Sequence, residues 1–201
     1  MINYDFIEIG LSDFDTIIQQ DCSGKTGASI EPIKYYLNRL PEKNNIKKIN
    51  WAISNYNGKI PIYYINEENI LDYKLPEWVR GCNSVNNFHP TVLNLLKQNN
   101  ISVEIFSIET VEVHDIEYLF DYLSLEKLEF LKIDCEGHDT IIVNNLLDYC
   151  KKNISKLPKF IQFENNALSD IKAISEITAR LQSFNYKKHS TGLQNELEFY
   201  L

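Results

Sequence analysis

The chain has 201 residues, about the length of one domain. An apolar fraction of 44% and a charged fraction of 24% are ordinary for a globular protein, and they exclude disorder, collagen or coiled coil as a description of the whole chain. A net charge of −8 without a basic block argues against nucleic-acid binding.

The sequence has neither a membrane span nor a secretion signal. No apolar run approaches the ~18 residues that a span needs, and the N-terminal residues lack the basic region and apolar core of a signal peptide. The four cysteines (Cys22, Cys82, Cys135 and Cys150) form no C-x-x-C pair, which is typical of small buried side chains in a reducing compartment. We therefore expect a cytoplasmic protein.

Strand and helix patterns alternate along the chain. Strands are predicted at residues 5–9, 28–31, 49–54, 59–65, 103–108, 130–134, 160–164 and 197–201, with 59–65 pairing back across an Asn57–Gly58 turn. Helices are predicted at residues 14–20 (with Ser12 or Asp13 as N-cap), 33–40, 91–98, 115–123, 139–151 and 170–184. The polar residues 66–90 are predicted to be a long loop or small insertion. This order favours a parallel sheet with helices on both faces.

Sheets of this kind bind ligands at the carboxyl ends of their strands. Five strands end at Glu8/Gly10, Glu31, Ser54, Asp134/Glu136 and Glu164, so acidic residues stand at four of the five ends.

The loop after the first strand contains Gly10, Ser12 and Asp13, and it lacks the full G-x-G-x-x-G pattern. Acidic residues there disfavour a pyrophosphate and suit a ligand with positive charge. Glu31, about 20 residues further on, stands where nucleotide-binding sheets hold ribose hydroxyls. The alternatives are a plain tight turn and an exposed charge.

Residues 131–139 carry the densest group of ionisable side chains, Lys132, Asp134, Glu136 and His138. Such clustering is typical of sites with perturbed pKa values, although a capped helix start is the alternative. Glu164 and Asn165 close the next predicted strand, which would bring Glu164 close to Asp134. His89, His114 and His189 stand apart from any cluster and are predicted to be surface or packing residues.

Five segments, in order, resemble the motifs of the FkbM-type methyltransferases. They are residues 6–16 (FIEIGLSDFDT), 29–32 (SIEP), 50–54 (NWAIS) with Asn57–Gly58, 131–139 (LKIDCEGHD, close to the family's K-I-D-x-E-G signature) and 161–164 (IQFE). The first segment has Asp13 to Asp15 where a second glycine is often found.

The resemblance implies a single class I methyltransferase domain over residues 1–201. Its Rossmann-like α/β sheet would have seven mostly parallel strands, with the last one antiparallel and helices on both faces. It would be an O-methyltransferase that uses S-adenosylmethionine. The implied donor-binding residues are Glu8, Gly10, Ser12, Asp13, Glu31, Ala52, Ile53 and Asp134.

The acceptor is expected to be a sugar or glycan hydroxyl, because family members commonly methylate sugars. The alternatives are a polyketide or lipid hydroxyl, a nicotinamide-dependent oxidoreductase, and a donor-binding module without turnover. A base would assist the poor sugar nucleophile, and the candidates are Asp134, Glu136 and His138. Tyr73 and Trp78 of residues 66–90 could stack on a sugar.

Asp134, Glu164 and Asn165 also resemble the divalent-metal triad of catechol-type O-methyltransferases, whose oxygen ligands suit Mg²⁺. Because the chain begins close to its first predicted strand and ends in its last, we expect it to be a domain of a larger protein. That protein could also carry glycosyltransferase activity.

Overall fold

A computed structural model describes residues 1–13, 16–166, 168–189 and 195–201. It contains ten strands: β1 (Ile2–Ile9), β2 (Gly27–Ile30), β3 (Ile46–Ile49), β4 (Ala52–Ile53), β5 (Gly58–Ile65), β6 (Phe106–His114), β7 (Leu125–Ile133), β8 (Phe160–Glu164), β9 (Lys187–His189) and β10 (Glu196–Tyr200). Six helices accompany them: α1 (Lys34–Arg39), α2 (Glu67–Asp72), α3 (Pro90–Gln98), α4 (Ile116–Tyr122), α5 (Asp139–Cys150) and α6 (Ile171–Ser183).

The main sheet has seven strands in the order β3-β2-β1-β7-β8-β10-β9. The five strands from β3 to β8 run parallel to one another, whereas β10 is antiparallel to both β8 and β9. The last strand in the chain is thus inserted beside the edge. This arrangement confirms the predicted Rossmann-like class I methyltransferase sheet.

Buried side chains on both faces of the main sheet hold the helices in place. Ile7 and Ile9 of β1 belong to a large core with the buried faces of α4, α5 and α6. Phe6 of the same strand belongs to a second core that contains Leu37 of α1. Successive strand residues point to opposite faces, so the helices cover both faces, as predicted.

A second, three-stranded sheet corrects two predictions. Residues 49–54 are not one strand: β3 ends at Ile49, and β4 pairs with β6 in the order β4-β6-β5. The Asn50 side chain donates to the backbone oxygens of Glu31 and Pro32, which turns the chain out of the first sheet. The second correction concerns residues 59–65, which the sequence predicts to pair back across the Asn57–Gly58 turn. They belong to β5, which pairs with β6 over eight residues, and this long register outweighs the local turn signal.

Other predicted boundaries also change. The helix predicted for residues 14–20 is a 3₁₀ turn at Ile17–Gln19 with Thr16 as N-cap, and residues 14 and 15 lie outside the described residues. Neither Ser12 nor Asp13 is the cap. The strand predicted at residues 103–108 begins at Phe106, after a 3₁₀ turn. The short exposed edge strand β9 was missed because its residues have no apolar alternation.

Residues 66–90 form a folded insertion. They contain α2 and a 3₁₀ turn at Glu77–Gly81, and Ile70, Leu75 and Val79 pack into a small core with α3. Ser84 pairs with Tyr63 of β5. No helix in the described part of the chain has the length and apolar character needed to cross a membrane.

Candidate active site

One cavity of about 560 Å³ opens at the carboxyl ends of β1, β2, β7 and β8, within the size range of ligand pockets. Both the main sheet and the insertion contribute to its wall. The side chains discussed below that line it are Glu8, Gly10, Ser12, Glu31, Trp51, Ala52, Ile53, Trp78, Cys82, Asn83, Lys132, Asp134, Glu136, His138 and Glu164.

Gly10 lies where β1 and β7 leave the sheet side by side. Its backbone is in the left-handed region, with φ of 78°. A Cβ atom there would lie 1.9 Å from the backbone oxygen of Asp134. Only glycine therefore allows the loop after β1 to pass the end of β7 and form this part of the wall.

Glu31 closes the same loop from the end of β2. Its Oε2 accepts hydrogen bonds from the backbone N–H groups of Leu11 (3.0 Å) and Ser12 (2.8 Å), and Oε1 accepts from Ile33 N–H (2.7 Å). Burial raises the pKa of this carboxyl to about 7, although the three hydrogen bonds oppose the shift. Glu31 thus fixes the loop that the sequence predicts to bind the donor.

Glu8, in the first motif, is fully buried. Because Glu8 and Lys132 are register partners on β1 and β7, the lysine Nζ lies 3.0 Å from Glu8 Oε1. Glu8 Oε2 accepts a hydrogen bond from Ile17 N–H at 2.9 Å. Asp13, also predicted to bind the donor, does not line the cavity. It forms ion pairs with Arg39 (2.7 Å) and Arg80 (3.2 Å), which tie the loop to α1 and the insertion.

The ends of β7 and β8 bring three carboxylates together. Asp134, Glu136 and Glu164 each place one oxygen within 4.8 Å of the others. The loss of bulk water around Asp134, followed by repulsion from Glu136, raises its pKa to about 6 even though its side chain opens into the cavity. The same two effects, with Asp134 as the strongest neighbour, raise the pKa of Glu164 to about 9.

Asn165, predicted as a metal ligand beside Asp134 and Glu164, is exposed and does not line the cavity. Its backbone N–H donates to the oxygen of Asn195. Glu136 takes its place as the third member of the acidic group.

The turn after β7 presents these groups. Glu136 has a left-handed backbone with φ of 49°, a conformation that costs a non-glycine residue energy and recurs at functional sites. Asp139 is buried, and its Oδ1 accepts from the N–H groups of Cys135 and Glu164, which joins the ends of β7 and β8. Burial raises the pKa of Asp139 to about 7.

Two histidines contact this turn. His138 has a partner on each ring nitrogen, Asn86 Oδ1 at 3.1 Å from Nδ1 and Ser54 Oγ at 2.9 Å from Nε2. Burial lowers its pKa. His89, predicted to be a surface or packing residue, is buried, and its Nε2 lies 3.1 Å from Glu136 Oε2.

The remaining wall is largely apolar. Trp51, Ala52 and Ile53 line it from the small sheet, and the resemblance places the last two beside the adenine ring. The insertion contributes Trp78 and Asn83. Asn83 Oδ1 is buried and has no hydrogen-bond partner within the described residues, so a ligand N–H or O–H would satisfy it.

Comparison with known protein families decides the assignment. The family model described as "Methyltransferase FkbM domain" matches residues 8–188, which is most of the chain. The chain belongs to the FkbM methyltransferase family. This assignment confirms the resemblance identified in the sequence. No curated protein matches the chain significantly.

Two solved structures resemble this FkbM methyltransferase weakly. One is titled "delta-N METTL16 MTase domain", with 10% identity, a TM-score of 0.37, and coverage of 98% of this chain and 73% of that one. The other, "Human methyltransferase 10 domain containing protein", has 10% identity, a TM-score of 0.37, and coverage of 99% and 71%. At these values neither likeness carries an inference about this chain.

The FkbM family implies S-adenosylmethionine as the methyl donor, and the residues present suit it. The donor carries a sulfonium cation and an ammonium group, which suit a wall rich in carboxylates. The apolar side chains of Trp51, Ala52 and Ile53 suit a purine ring, and the unpartnered Asn83 Oδ1 offers a bound ligand a hydrogen-bond acceptor. The cavity is thus consistent with the implied cofactor.

Proposed function

We propose that this FkbM methyltransferase methylates a hydroxyl group of a sugar or glycan. When bound, S-adenosylmethionine supplies an electrophilic methyl group. The protein then has to align the acceptor oxygen and take up its proton, and such positioning contributes on the order of 7–11 kcal/mol to catalysis. One observation carries the proposal: the carboxylates of Asp134, Glu136 and Glu164 and the indole of Trp78 line the same cavity.

The charge of the cavity supports a neutral acceptor. Besides those three carboxylates, Glu8, Glu31 and Glu196 also line it, whereas Lys132 already pairs with Glu8. A phosphate or carboxylate on the acceptor would be repelled. A sugar hydroxyl brings no charge, and Trp78, which is 42% exposed, offers an aromatic surface of the kind on which sugar rings stack.

Transfer of labelled methyl from S-adenosylmethionine to a panel of acceptors tests the proposal. The panel contains methyl glycosides of hexoses and deoxyhexoses, the matching sugar phosphates, a glucosamine, a catechol, and hydroxylated lipid and polyketide fragments. We expect product with neutral glycosides and none with the phosphates. Transfer only to the amine or to a non-sugar hydroxyl would overturn the acceptor class. Donor binding without transfer to any acceptor would favour a binding module.

Calorimetric titration separates the oxidoreductase alternative. We expect S-adenosylmethionine to bind and NAD not to bind, because the loop after β1 lacks the further glycines of a pyrophosphate site. Binding of NAD alone would overturn the proposal.

A glycan acceptor has to be made by a glycosyl-transfer reaction. A partner domain with glycosyltransferase activity therefore remains a prediction. A cytoplasmic location also remains a prediction.

Magnesium-assisted transfer is a second candidate. Its basis is the approach of one oxygen each from Asp134, Glu136 and Glu164 within 4.8 Å, since oxygen ligands suit Mg²⁺. A bound cation would lower the pKa of the acceptor hydroxyl and relieve the repulsion among the carboxylates. Activity lost in chelator and restored by Mg²⁺ would support it. Full activity in chelator would exclude it and leave a carboxylate as the base.

A further inference from the structure

His89 connects the insertion to the acidic turn after β7. The ring lies at the N-cap of α3, immediately before Pro90, and is buried. Its Nδ1 accepts a hydrogen bond from the backbone N–H of Thr91 at 3.2 Å. A nitrogen that accepts this bond carries no proton, which places the ring proton of His89 on Nε2.

The position of this proton defines the contact with Glu136. His89 Nε2 lies 3.1 Å from Glu136 Oε2, so Nε2–H donates to the carboxylate. The contact is a hydrogen bond from the imidazole ring to the carboxyl group. Because Nδ1 accepts a hydrogen bond and Nε2 donates one, His89 itself has no lone pair left to act as the base.

The same ring belongs to a second group of possible metal ligands. Cys82, His89 and Glu136 each place one ligand atom within 4.8 Å of the others. Coordination through Nε2 would break the hydrogen bond between His89 and Glu136. Burial raises the pKa of the Cys82 thiol to about 12.

Glu136 is held from one side only. Its Oε2 receives His89 Nε2–H and, at 3.5 Å, Asn166 Nδ2–H. Within the described residues Oε1 has no hydrogen-bond partner, and Glu136 lines the cavity. By contrast, both ring nitrogens of His138 have partners, Asn86 Oδ1 at Nδ1 and the Ser54 hydroxyl at Nε2.

We propose that His89 is a positioning residue, which holds Glu136 Oε2 so that Oε1 takes the proton of the acceptor hydroxyl. This inference rests on the proposed function. In the step, the acceptor oxygen forms a bond to the methyl carbon, and the carbon–sulfur bond breaks with its electron pair going to sulfur. The hydroxyl proton passes to Glu136. The insertion thereby contributes to the base as well as to the wall.

The first test needs no acceptor. Long-range ¹H–¹⁵N NMR of ¹⁵N-histidine-labelled protein reports which ring nitrogen carries the proton, with His89→Gln identifying the signals. We expect the Nε2–H tautomer for His89, with an Nε2 proton that exchanges faster in Glu136→Ala. A ring with its proton on Nδ1, or a doubly protonated ring at neutral pH, would overturn the inference.

The second test uses the methyl glycoside that the wild-type protein methylates. We expect His89→Ala to lower kcat by about 10- to 100-fold with little change in KM, because a misplaced reacting group has losses of this order. His89→Gln places an amide N–H near the position of Nε2 and should recover much of the loss. Donor affinity by calorimetry should stay within about twofold in both variants. His189→Gln, an exposed histidine far along the chain, is the matched control and should have no effect.

A double-mutant cycle separates positioning from a merely structural role. Glu136→Gln should lower kcat by about 10²- to 10⁴-fold, as expected for a lost base. If His89 acts through Glu136, adding His89→Ala to Glu136→Gln should cause no further loss. Additive losses, or no rescue by His89→Gln, would overturn the inference. If the wild-type protein methylates no acceptor, the proposed function fails. The NMR measurement of the His89 tautomer still tests the contact between His89 and Glu136.

Discussion

The two ends of the cavity contain carboxyl groups at or near strand ends, but these groups have different surroundings. At the ends of β1 and β2, Glu8 and Glu31 accept hydrogen bonds from Lys132 and from backbone N–H groups. At the ends of β7 and β8, Asp134, Glu136 and Glu164 crowd against one another. The first pair builds the wall, and the second group brings acidic side chains so close together that their charged forms are disfavoured.

Acidic residues at the strand ends of this cavity therefore have two different roles. Glu31 is needed for loop shape, because its oxygens satisfy N–H groups that would otherwise be buried without a partner. The pKa of Glu164, in contrast, rises to about 9 because burial and neighbouring carboxylates both disfavour its charge. A cationic ligand near Glu164 would favour the charged form of its carboxyl group. The group of Asp134, Glu136 and Glu164 therefore suits a cation, whereas Glu8 and Glu31 stabilise the loops around them.

The largest expected effect comes from the backbone crossing that holds the two ends together. Gly10→Ala would place Cβ 1.9 Å from the Asp134 backbone oxygen, on a residue with φ of 78°. We expect the free energy of unfolding to fall by more than about 4 kcal/mol and donor binding to be lost. Chemical denaturation and calorimetry measure these effects.

Gly24→Ala is the matched control for Gly10→Ala. Gly24 has a nearly identical φ of 76°, but a Cβ atom there would meet nothing within 4 Å. We expect a cost of only about 1–2 kcal/mol, from the left-handed backbone alone, and unchanged donor affinity. Equal losses in the two variants would show that the crossing of β1 and β7 has no special role.

A smaller effect is expected from Glu31→Gln. This variant tests whether Glu31 only stabilises the cavity wall or also binds the donor. An amide nitrogen replaces one carboxylate oxygen and cannot accept, so either the bonds from Leu11 and Ser12 or the bond from Ile33 should be lost, with about 1–3 kcal/mol of stability. If Glu31 also holds the donor, affinity should fall at least about tenfold, or ~1.4 kcal/mol.

The exposed Glu42→Gln, which pairs with Lys48, is the control and should change neither the stability nor the donor affinity measured for Glu31→Gln. Lower stability with unchanged donor affinity in Glu31→Gln would leave Glu31 a structural role alone.

The crowding at the second end predicts a pH-dependent stability. The pKa of Glu164 is about 9 in the folded chain against an ordinary value of 4.5. Between these values the unfolded chain loses the proton and the folded chain keeps it, so stability falls as pH rises from about 4.5 to 9. Glu164→Gln removes this dependence.

The Tm of Glu164→Gln should therefore match the wild type near pH 4 and exceed it increasingly up to pH 9. A gain of about 1 kcal/mol corresponds to about 2–4 °C for a chain of this size. Glu176→Gln, on the exposed face of α6, should follow the wild type throughout. A constant difference at all pH values would argue against electrostatic crowding.

Most of the main sheet was predictable because its signals are local. Alternating strand and helix patterns and the order of the five motifs define which strand ends meet. The small sheet was not predictable, because the break between β3 and β4 depends on the Asn50 side chain, and β4 finds its partner 61 residues later, at Ala52 and Val113.

The residues of the candidate site also divide into those that local sequence patterns predict and those that they do not. Parallel strands predict that Asp134 and Glu164 lie close together, and the structure places them so. His89 was missed because its partner Glu136 is 47 residues away. The one local signal was a histidine directly before Pro90 at a helix start, where a ring nitrogen can accept a backbone N–H.

The smallest effect on donor binding is expected for Asp13→Asn, which separates the wall from its outer support. Asp13 lies in the donor-binding motif by sequence, yet it pairs with Arg39 and Arg80 and does not line the cavity. We expect donor affinity to change by less than about threefold, because Asp13 does not line the cavity. Hydrogen exchange should instead increase in residues 76–89, because Asp13 no longer anchors Arg80. A loss of donor affinity as large as that of Glu31→Gln would indicate that Asp13 contacts the donor. It would also remove the distinction between residues that line the cavity and residues that support its wall from outside.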